Sequence, residues 1–295
     1  LDALAKARAG KTRAGIGVDA SEDVARNMPL RGRPLSAWMD PRPWELVLSR
    51  FGLPLGVPQG APHLVSGDPA GIESMLPEGV VLTPSAVQRL LEYGWGERIG
   101  IESVQPAAPG VNEYFTDDAM NGAHAGMRLH VRHYATQLNP YTYHVSRGEQ
   151  ARVLSYWVDV DDEAQGTAAL GLTLADGSRV GLLPFEITSL SPAMLQISRR
   201  DQLTALFEWV SRVSLPCRVE GGVNLVPQVF LDGDQREGLL AVANLSADDM
   251  VAHLAAPVME GKKVERLLEN GAWKPEENFL RLRVPAWSLT ALRWA

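Results

Sequence analysis

After Pro216 the chain changes character. Six short apolar runs follow one another at regular spacing: Asn224–Phe230, Leu239–Ala243, Val251–Leu254, Val264–Leu268, Phe279–Val284 and Ser288–Leu292. Runs of this length bury their apolar positions by pairing as strands. Asp232-Gly233 and Asn270-Gly271 are strong hairpin signals, because both residues of each pair tolerate positive φ. Residues 216–295 are therefore predicted to form a small antiparallel β-sandwich.

The preceding residues have a different rhythm. From Ala14 to about Ile101 short apolar runs alternate with helical segments, as in an α/β layer. Ala14–Val18 reads as a strand, and Ser21-Glu22-Asp23 as a helix start, where a serine oxygen accepts from free backbone amides. A second helix begins at Pro43-Trp44 and ends by Gly52, with proline at its favoured first turn. His63–Ser66 and Gly79–Leu82 are predicted strands; the latter delivers the chain to Thr83, where Pro84 and Ser85 open a helix that Gly94 stops. Gln105–Gly110 is a loop and Met127–Arg132 alternates like a strand. Val153–Val158, Ala168–Leu174 and Val180–Leu183 are further strands, with a tight turn at Asp176-Gly177. Ser198 is expected to cap an amphipathic helix through Leu203, Leu206, Phe207 and Val210. The predicted organisation is one α/β domain over residues 1–215 and the sandwich over residues 216–295.

Composition narrows the function classes. A chain of 295 residues can bury a substantial core and favours about two domains. Its longest apolar runs, such as Val180–Phe185, are too short to cross a bilayer, so no membrane partner is expected. Net charge is −7 from 28 basic and 35 acidic residues, without a basic stripe, so nucleic acid is disfavoured. The single cysteine, Cys217, cannot form an internal disulfide, which fits a reducing compartment and an expected cytoplasmic location. Asn244-Leu245-Ser246 is a formal glycosylation sequon and carries no weight without a secretory context. The opening Leu1–Arg8 has helical spacing without an initiator methionine or a signal-peptide core, as expected for the interior of a longer chain.

Three segments carry a resemblance: the strand-turn-helix Gly79–Val87, the Gly94-Trp95-Gly96 punctuation, and Val111–Gly126. Together they resemble the module that follows the catalytic barrel in β-galactosidase-like glycoside hydrolases, a class I glutamine-amidotransferase-like (flavodoxin-like) α/β domain without the amidotransferase nucleophile. An amidotransferase needs a cysteine thiolate on the tight turn between strand and helix. The corresponding turn here carries Thr83, Pro84 and Ser85, while Cys217 lies far downstream and reads as a small buried apolar residue. The terminal strands, with Asn244-Leu245-Ser246 after one and Val284-Pro285 before the last, are similar in layout to the terminal sandwich of many glycosidases. The resemblance implies a scaffold without catalytic residues of its own, partnered by a catalytic barrel of the same protein and by further copies of itself, as in trimeric β-galactosidases. It also implies a loop with Glu113, Asn121 and His124 at the edge of the barrel's cleft; a loop held by its own polar side chains is the plainer reading.

Two other classes compete with the scaffold. A self-contained hydrolase of esters or glycosides would draw on Ser66, Asp68, Glu73 and Glu186. Gly-x-Ser-x-Gly is absent, however, and the nearness of His63, Ser66 and Asp68 in sequence does not make a triad. Glycoside hydrolysis needs two carboxylates about 5–10 Å apart, and no spacing pairs any two of Glu73, Glu113, Asp117, Asp118 and Glu186. A carbohydrate-binding module would stack an oligosaccharide on surface indoles. Trp38, Trp44, Trp95 and Trp273 lie near turns and are the candidates, whereas Trp157 and Trp209 sit in apolar patterns and read as core. No metal or cofactor is predicted. His130 and His133 would face opposite sides of a strand, and Asp159–Glu163 lacks the later glycine and glutamate of a calcium loop. Gly15–Ala20 spells a dinucleotide fingerprint without the preceding apolar strand.

Overall fold

The computed structural model describes residues 2–19, 42–57, 62–130, 138–146, 151–187, 195–222, 224–268, 273–276 and 279–295. The expected helix start at Ser21-Glu22-Asp23, Trp38, His133 and the Asn270-Gly271 turn lie outside them. The chain forms two compact units: Leu1–Gly17, Glu45–Ala61 and Ser214–Ala295 make unit 1, and Val18–Trp44 with Pro62–Val213 make unit 2. This division differs from a single cut at residue 215. The N-terminal segment joins the C-terminal strands because Thr12–Ala14 pairs antiparallel with Val229–Leu231. The helix Asp2–Arg8 adds Leu4 and Ala7 to a cluster with Phe230 and Leu239.

Unit 1 is a two-sheet antiparallel structure, as read from the sequence. One sheet has the order Thr12–Ala14, Leu225–Leu231, Gly238–Asn244, Leu289–Trp294, Val264–Arg266; the other has Arg218–Glu220, Met250–Ala255, Phe279–Val284, Trp273–Glu276. Val229, Leu240, Val242 and Leu292 of the first sheet and Val219, Leu254, Leu282 and Val284 of the second share one apolar core. The turn at Asp232-Gly233 is longer than a two-residue hairpin. Leu231 pairs with Gly238, and Asp232 closes the loop by accepting Glu237 N on Oδ1 at 3.1 Å. Gln235 supplies its left-handed residue with φ 56°.

Unit 2 contains two sheets. The six-stranded sheet runs Gly17–Asp19, His63–Val65 (β1), Val80–Leu82 (β2), Arg179–Leu182, Leu170–Thr173, Ala151–Val153. β1, β2 and Arg179–Leu182 are parallel, and the last three strands are antiparallel to one another. β2 leads through Thr83 into the helix Pro84–Glu92 (α1), whose Ala86, Val87 and Leu90 are buried. The other sheet, all antiparallel, contains Asn112–Phe115 (β3), Ser155–Val158 (β4) and five further strands, including Leu138–Val145.

This second sheet was not legible as such in the sequence, because several apolar runs are shared between sheets. Val153–Val158 breaks at Leu154: Ala151–Val153 belongs to the six-stranded sheet and β4 to the seven-stranded one. Leu154 N and Ser155 N both donate to Ala169 O, at 2.9 and 3.3 Å, where the neighbouring hairpin makes the same crossing. A third crossing follows Arg179–Leu182 (β5), which continues through Leu183-Pro184 into Phe185–Ile187 (β6) of the antiparallel sheet. The Asp176-Gly177 turn forms as expected, with Gly177 at φ 84° and Ser178 N donating to Asp176 Oδ1 at 2.9 Å.

The helix Ile197–Ser211 (α2) corrects two expectations. Gln196 stands at its N-cap, so Ser198 lies inside the helix and caps nothing. Its buried side is also not a continuous apolar stripe: Leu203, Leu206, Phe207 and Val210 follow a buried polar start of Ser198, Arg199 and Gln202. Small residues admit the helix to the six-stranded sheet. A Cβ on Gly181 would sit 2.9 Å from Leu206, and one on Gly171 2.9 Å from Trp209.

Gly79, just before β2, has φ 91°, and its Cβ would lie 2.4 Å from the Val210 carbonyl carbon. Left-handed strain and a backbone clash therefore act together. Gly79→Ala is expected to cost at least about 2 kcal/mol in urea denaturation. An unchanged midpoint would contradict this packing.

Candidate functional site

Three buried polar groups of unit 2, on Ser66, Glu186 and Trp44, gather near the carboxyl ends of the parallel strands. Thr83 N donates to Val65 O at 3.1 Å and Leu183 N to Leu82 O at 2.9 Å, so Ser66, Thr83 and Leu183 follow their strands off one sheet edge. In open α/β sheets ligands collect beyond this edge. Here the first turn of α1 is met by a side chain of the protein itself. Glu186 of β6 is 3% exposed, and its Oε1 accepts from Ser85 N at 2.5 Å. Thr83 Oγ1 and Ser85 Oγ are hydrogen-bonded at 3.1 Å. Among the described residues Glu186 Oε2 and Ser66 Oγ are buried without a partner, as is Nε1 of Trp44, whose ring stacks on Phe185 at 5.7 Å. Trp44 is thus core and not a surface indole.

Two influences oppose one another at Glu186. Burial penalises its charge, while the hydrogen bonds from Ser85 and Thr83 at the positive end of α1 favour it. Burial wins, and the carboxyl titrates above the ordinary glutamate range. Burial likewise raises the Tyr141 and Tyr143 phenols, with the Glu186 charge as a lesser cause. Tyr143 Oη donates to Leu183 O at 2.5 Å.

The remaining hydrolase candidates are not brought to Ser66. His63 Nε2 meets Glu78 Oε2 at 2.9 Å, and its Nδ1 has no partner among the described residues. Asp68 Oδ1 accepts from Ala70 N at 3.1 Å and Tyr93 Oη at 3.4 Å. Glu73 is on the surface, paired with Arg98 at 2.8 Å. Arg98 also covers the Trp95 ring at 4.2 Å, beside a cavity of about 180 Å³ lined by Arg98, Glu97, Leu172 and Asp176. His130 Nδ1 is 3.0 Å from Asn112 Oδ1. Trp157 is 1% exposed and core as expected; Trp209 is only partly buried, with the Arg179 and Arg152 guanidinium groups at 4.8 and 5.7 Å from its ring.

Glu113 and Asn121 do come together, with two partners that sequence reasoning missed. Glu113, on β3, is 1% exposed. Its Oε1 accepts from Ser155 Oγ at 2.6 Å and Arg199 Nη1 at 3.2 Å, and its Oε2 from Arg199 Nη2. Arg199 also donates to Gln202 Oε1 at 2.6 Å, and its guanidinium lies 5.3 Å from the Phe115 ring centre and 5.0 Å from that of Phe185. Gln202 Nε2 donates to Asn121 Oδ1 at 2.8 Å, and Asn121 Nδ2 to Leu154 O at 2.8 Å and Thr116 O at 2.9 Å. His124 Nε2 reaches Asp201 Oδ2 at 2.9 Å, and Asp118 pairs with Arg152 at 2.8 and 3.0 Å. The Val111–Gly126 segment is thus fastened to α2 by polar contacts, and both Glu113 oxygens are engaged. The available sequence signal was that the apolar stripe of α2 begins only at Leu203, which leaves Arg199 and Gln202 to be accounted for.

In unit 1, Cys217 is 1% exposed within the apolar core, and burial pushes its thiol up to about 12. That is the opposite of an activated nucleophile.

No protein-family model matches the sequence, and no curated protein matches it. Solved structures match the fold. The β-galactosidase from Bacillus circulans sp. alkalophilus aligns with TM-score 0.58 and 12% identity over 96% of this chain and 41% of its own. That from Rahnella sp. R3 gives 0.59 and 13% over 97% and 42%. The α-L-fucosidase isoenzyme 2 from Paenibacillus thiaminolyticus gives 0.58 and 8% over 99% and 51%. The chain therefore has the fold of one part of β-galactosidase-like glycoside hydrolases, and it spans about two-fifths of the length of the β-galactosidases it matches.

Two outcomes follow from the buried charges. Because the folded pKa of Glu186 lies above its unfolded value, its ionisation destabilises the fold. The penalty is absent below the unfolded glutamate range, grows as pH rises toward the folded pKa, and is constant above it. Glu186→Gln keeps an oxygen for Ser85 N and should gain stability relative to the native chain between pH 4 and pH 7.5. Equal urea midpoint differences at both pH values would contradict the shift. Arg199→Met strands the Glu113 charge and should cost about 3–5 kcal/mol, part of which Glu113→Gln in the same chain restores. A loss below about 1 kcal/mol would show the pair to be dispensable.

Proposed function

We propose that this chain is a non-catalytic scaffold of a glycoside-hydrolase-like protein of carbohydrate metabolism, partnered by a catalytic barrel elsewhere in the same protein. The carrying observation is a fold likeness over 96% of the chain that accounts for only 41% of a β-galactosidase. The buried acids support this reading: Glu113 is neutralised by Arg199, and Glu186 fills the helix start with its own carboxylate. The finer assignment is a degenerate class I glutamine-amidotransferase-like domain followed by the sandwich. It is supported by parallel β1, β2 and β5 with α1 opening directly after β2, and by Thr83-Pro84-Ser85 where a thiolate would stand. In this reading the domain promotes association of copies in the cytoplasm, and the partly exposed His124, held by Asp201, is the member of the Val111–Gly126 loop available to face a barrel's cleft.

One observation favours a second reading. Ser66 Oγ and Glu186 Oε2 are both buried at the strand ends without partners among the described residues, as an ester or glycoside hydrolase awaiting its substrate would leave them. Turnover by the purified chain of p-nitrophenyl β-galactoside and p-nitrophenyl acetate separates the two. The scaffold reading expects rates equal to buffer for native protein, Ser66→Ala and Glu186→Gln alike. Robust native turnover that falls by orders of magnitude in either variant would defeat it.

A further inference from the structure

Trp287, in unit 1, is 71% exposed. Its backbone is also in the left-handed region, at φ 48°, which an L residue with a bulky side chain rarely adopts. The surrounding hydrogen bonds over-determine that conformation. Trp287 N donates to Ser246 O at 3.0 Å, and Asn244 N to Ser288 O at 2.9 Å. Asn244, 1% exposed, donates Nδ2 to Asp248 O, Val284 O and Pro285 O at 2.8, 3.0 and 3.1 Å. Its Oδ1 accepts from Ser246 N at 3.0 Å and Ser246 Oγ at 2.7 Å. Asp249 holds the other side, accepting Ala286 N at 3.0 Å and Arg283 Nη2 at 2.5 Å. The Asn244 amide is thereby consumed as a clasp, which leaves the sequon without an acceptor in the folded chain.

A strained backbone persists only where its surroundings fix it, and such positions cluster where a side chain must be presented in one way. Here the residue whose backbone is fixed carries a large indole left in water, with Leu245 beside the clasp 42% exposed. We propose that Trp287 and Leu245 form a stacking platform for one pyranose ring of a neutral oligosaccharide.

The chemistry selects this occupant. An indole face packs on the C–H face of a sugar ring. Beside the turn stand the partly exposed Asp249 carboxylate, which accepts Ala286 N, and the Arg283 guanidinium paired with it, as acceptor and donor for hydroxyl groups. Arg283 is paired with Asp249, so the rim has no excess positive charge to draw a phosphate or an anionic lipid surface. One indole and one leucine also present far less apolar area than the roughly 800 Å² per partner of a stable protein interface. Affinity for a single stacked ring is expected to be weak, on the order of millimolar. The inference rests on the geometry of unit 1 and is independent of the scaffold reading.

The test is a titration of the full ¹⁵N-labelled chain with β-1,4-galactotetraose and, separately, cellotetraose, followed by the indole N–H resonances in the native chain and by the backbone amide resonances of Leu245 and Ser288 in the native chain and every variant. Trp287→Phe identifies the relevant signal. At least one oligosaccharide should shift that signal saturably; Trp287→Ala should weaken binding at least tenfold, and Trp287→Tyr should retain it within a few-fold. Both variants should keep the native thermal midpoint, so lost binding cannot be lost folding. The proposal is overturned if neither sugar moves the resonance, or if Trp287→Ala binds as tightly as the native chain. It is also overturned if sedimentation shows Trp287→Ala converting an associated species to monomer, or if vesicles of neutral phospholipid capture the native chain and not the variant.

Discussion

The buried Glu113–Arg199 ion pair joins α2 to the antiparallel sheet of unit 2. Glu113 comes from β3 in the antiparallel sheet, and Arg199 from α2, which packs on the six-stranded sheet over Gly171 and Gly181. Removing both charges from water is costly and is offset only when every lone pair and donor finds a partner. Ser155 and Gln202 complete the set, while Phe115 and Phe185 flank the guanidinium. The pair fixes where the first turn of α2 meets β3, because Glu113, Ser155 and Gln202 all converge on or beside the Arg199 guanidinium. That placement in turn brings the Val111–Gly126 segment and its Asn121 into register with Leu154, where the chain crosses between sheets.

The same logic explains why the strand-end crevice reads as filled. In a sheet of this kind the first turn after a parallel strand is the natural place for an anion or a nucleophile. This chain supplies the anion itself, from β6, which leaves the six-stranded sheet through Leu183-Pro184 and returns Glu186 to the Ser85 amide. Burial holds that carboxyl partly against ionisation, and the Ser66 hydroxyl has no hydrogen-bond partner among the described residues. The site has the polarity of a reactive centre without a proton-transfer partner in reach among the described residues.

Local chemistry made much of the fold legible. Asp176-Gly177, Pro84 at the start of α1 and the strands of the sandwich all follow from turn propensity, capping and period two. What escaped depends on contacts distant in sequence. Leu154 splits a run that looks continuous, because its carbonyl and amide serve two neighbours. Thr12–Ala14 pairs with residues more than two hundred positions away, which no local pattern encodes. Glu113 is legible as a candidate acid, but its neutralising partner stands 86 residues later, in the polar first turn of a helix whose periodic signal lies in its apolar half. Sequence gives neither the exposure of Trp287 nor its left-handed φ.

If the Glu113–Arg199 pair fastens helix and sheets into one body, unit 2 should open as one cooperative unit. Native-state hydrogen exchange with increasing denaturant measures this directly. The backbone amides of β2, β3, β5 and α2 should converge on a single opening free energy equal to that of global unfolding. Exchange of α2 or β3 through a separate opening of markedly lower free energy, with the parallel strands still protected, would contradict the account.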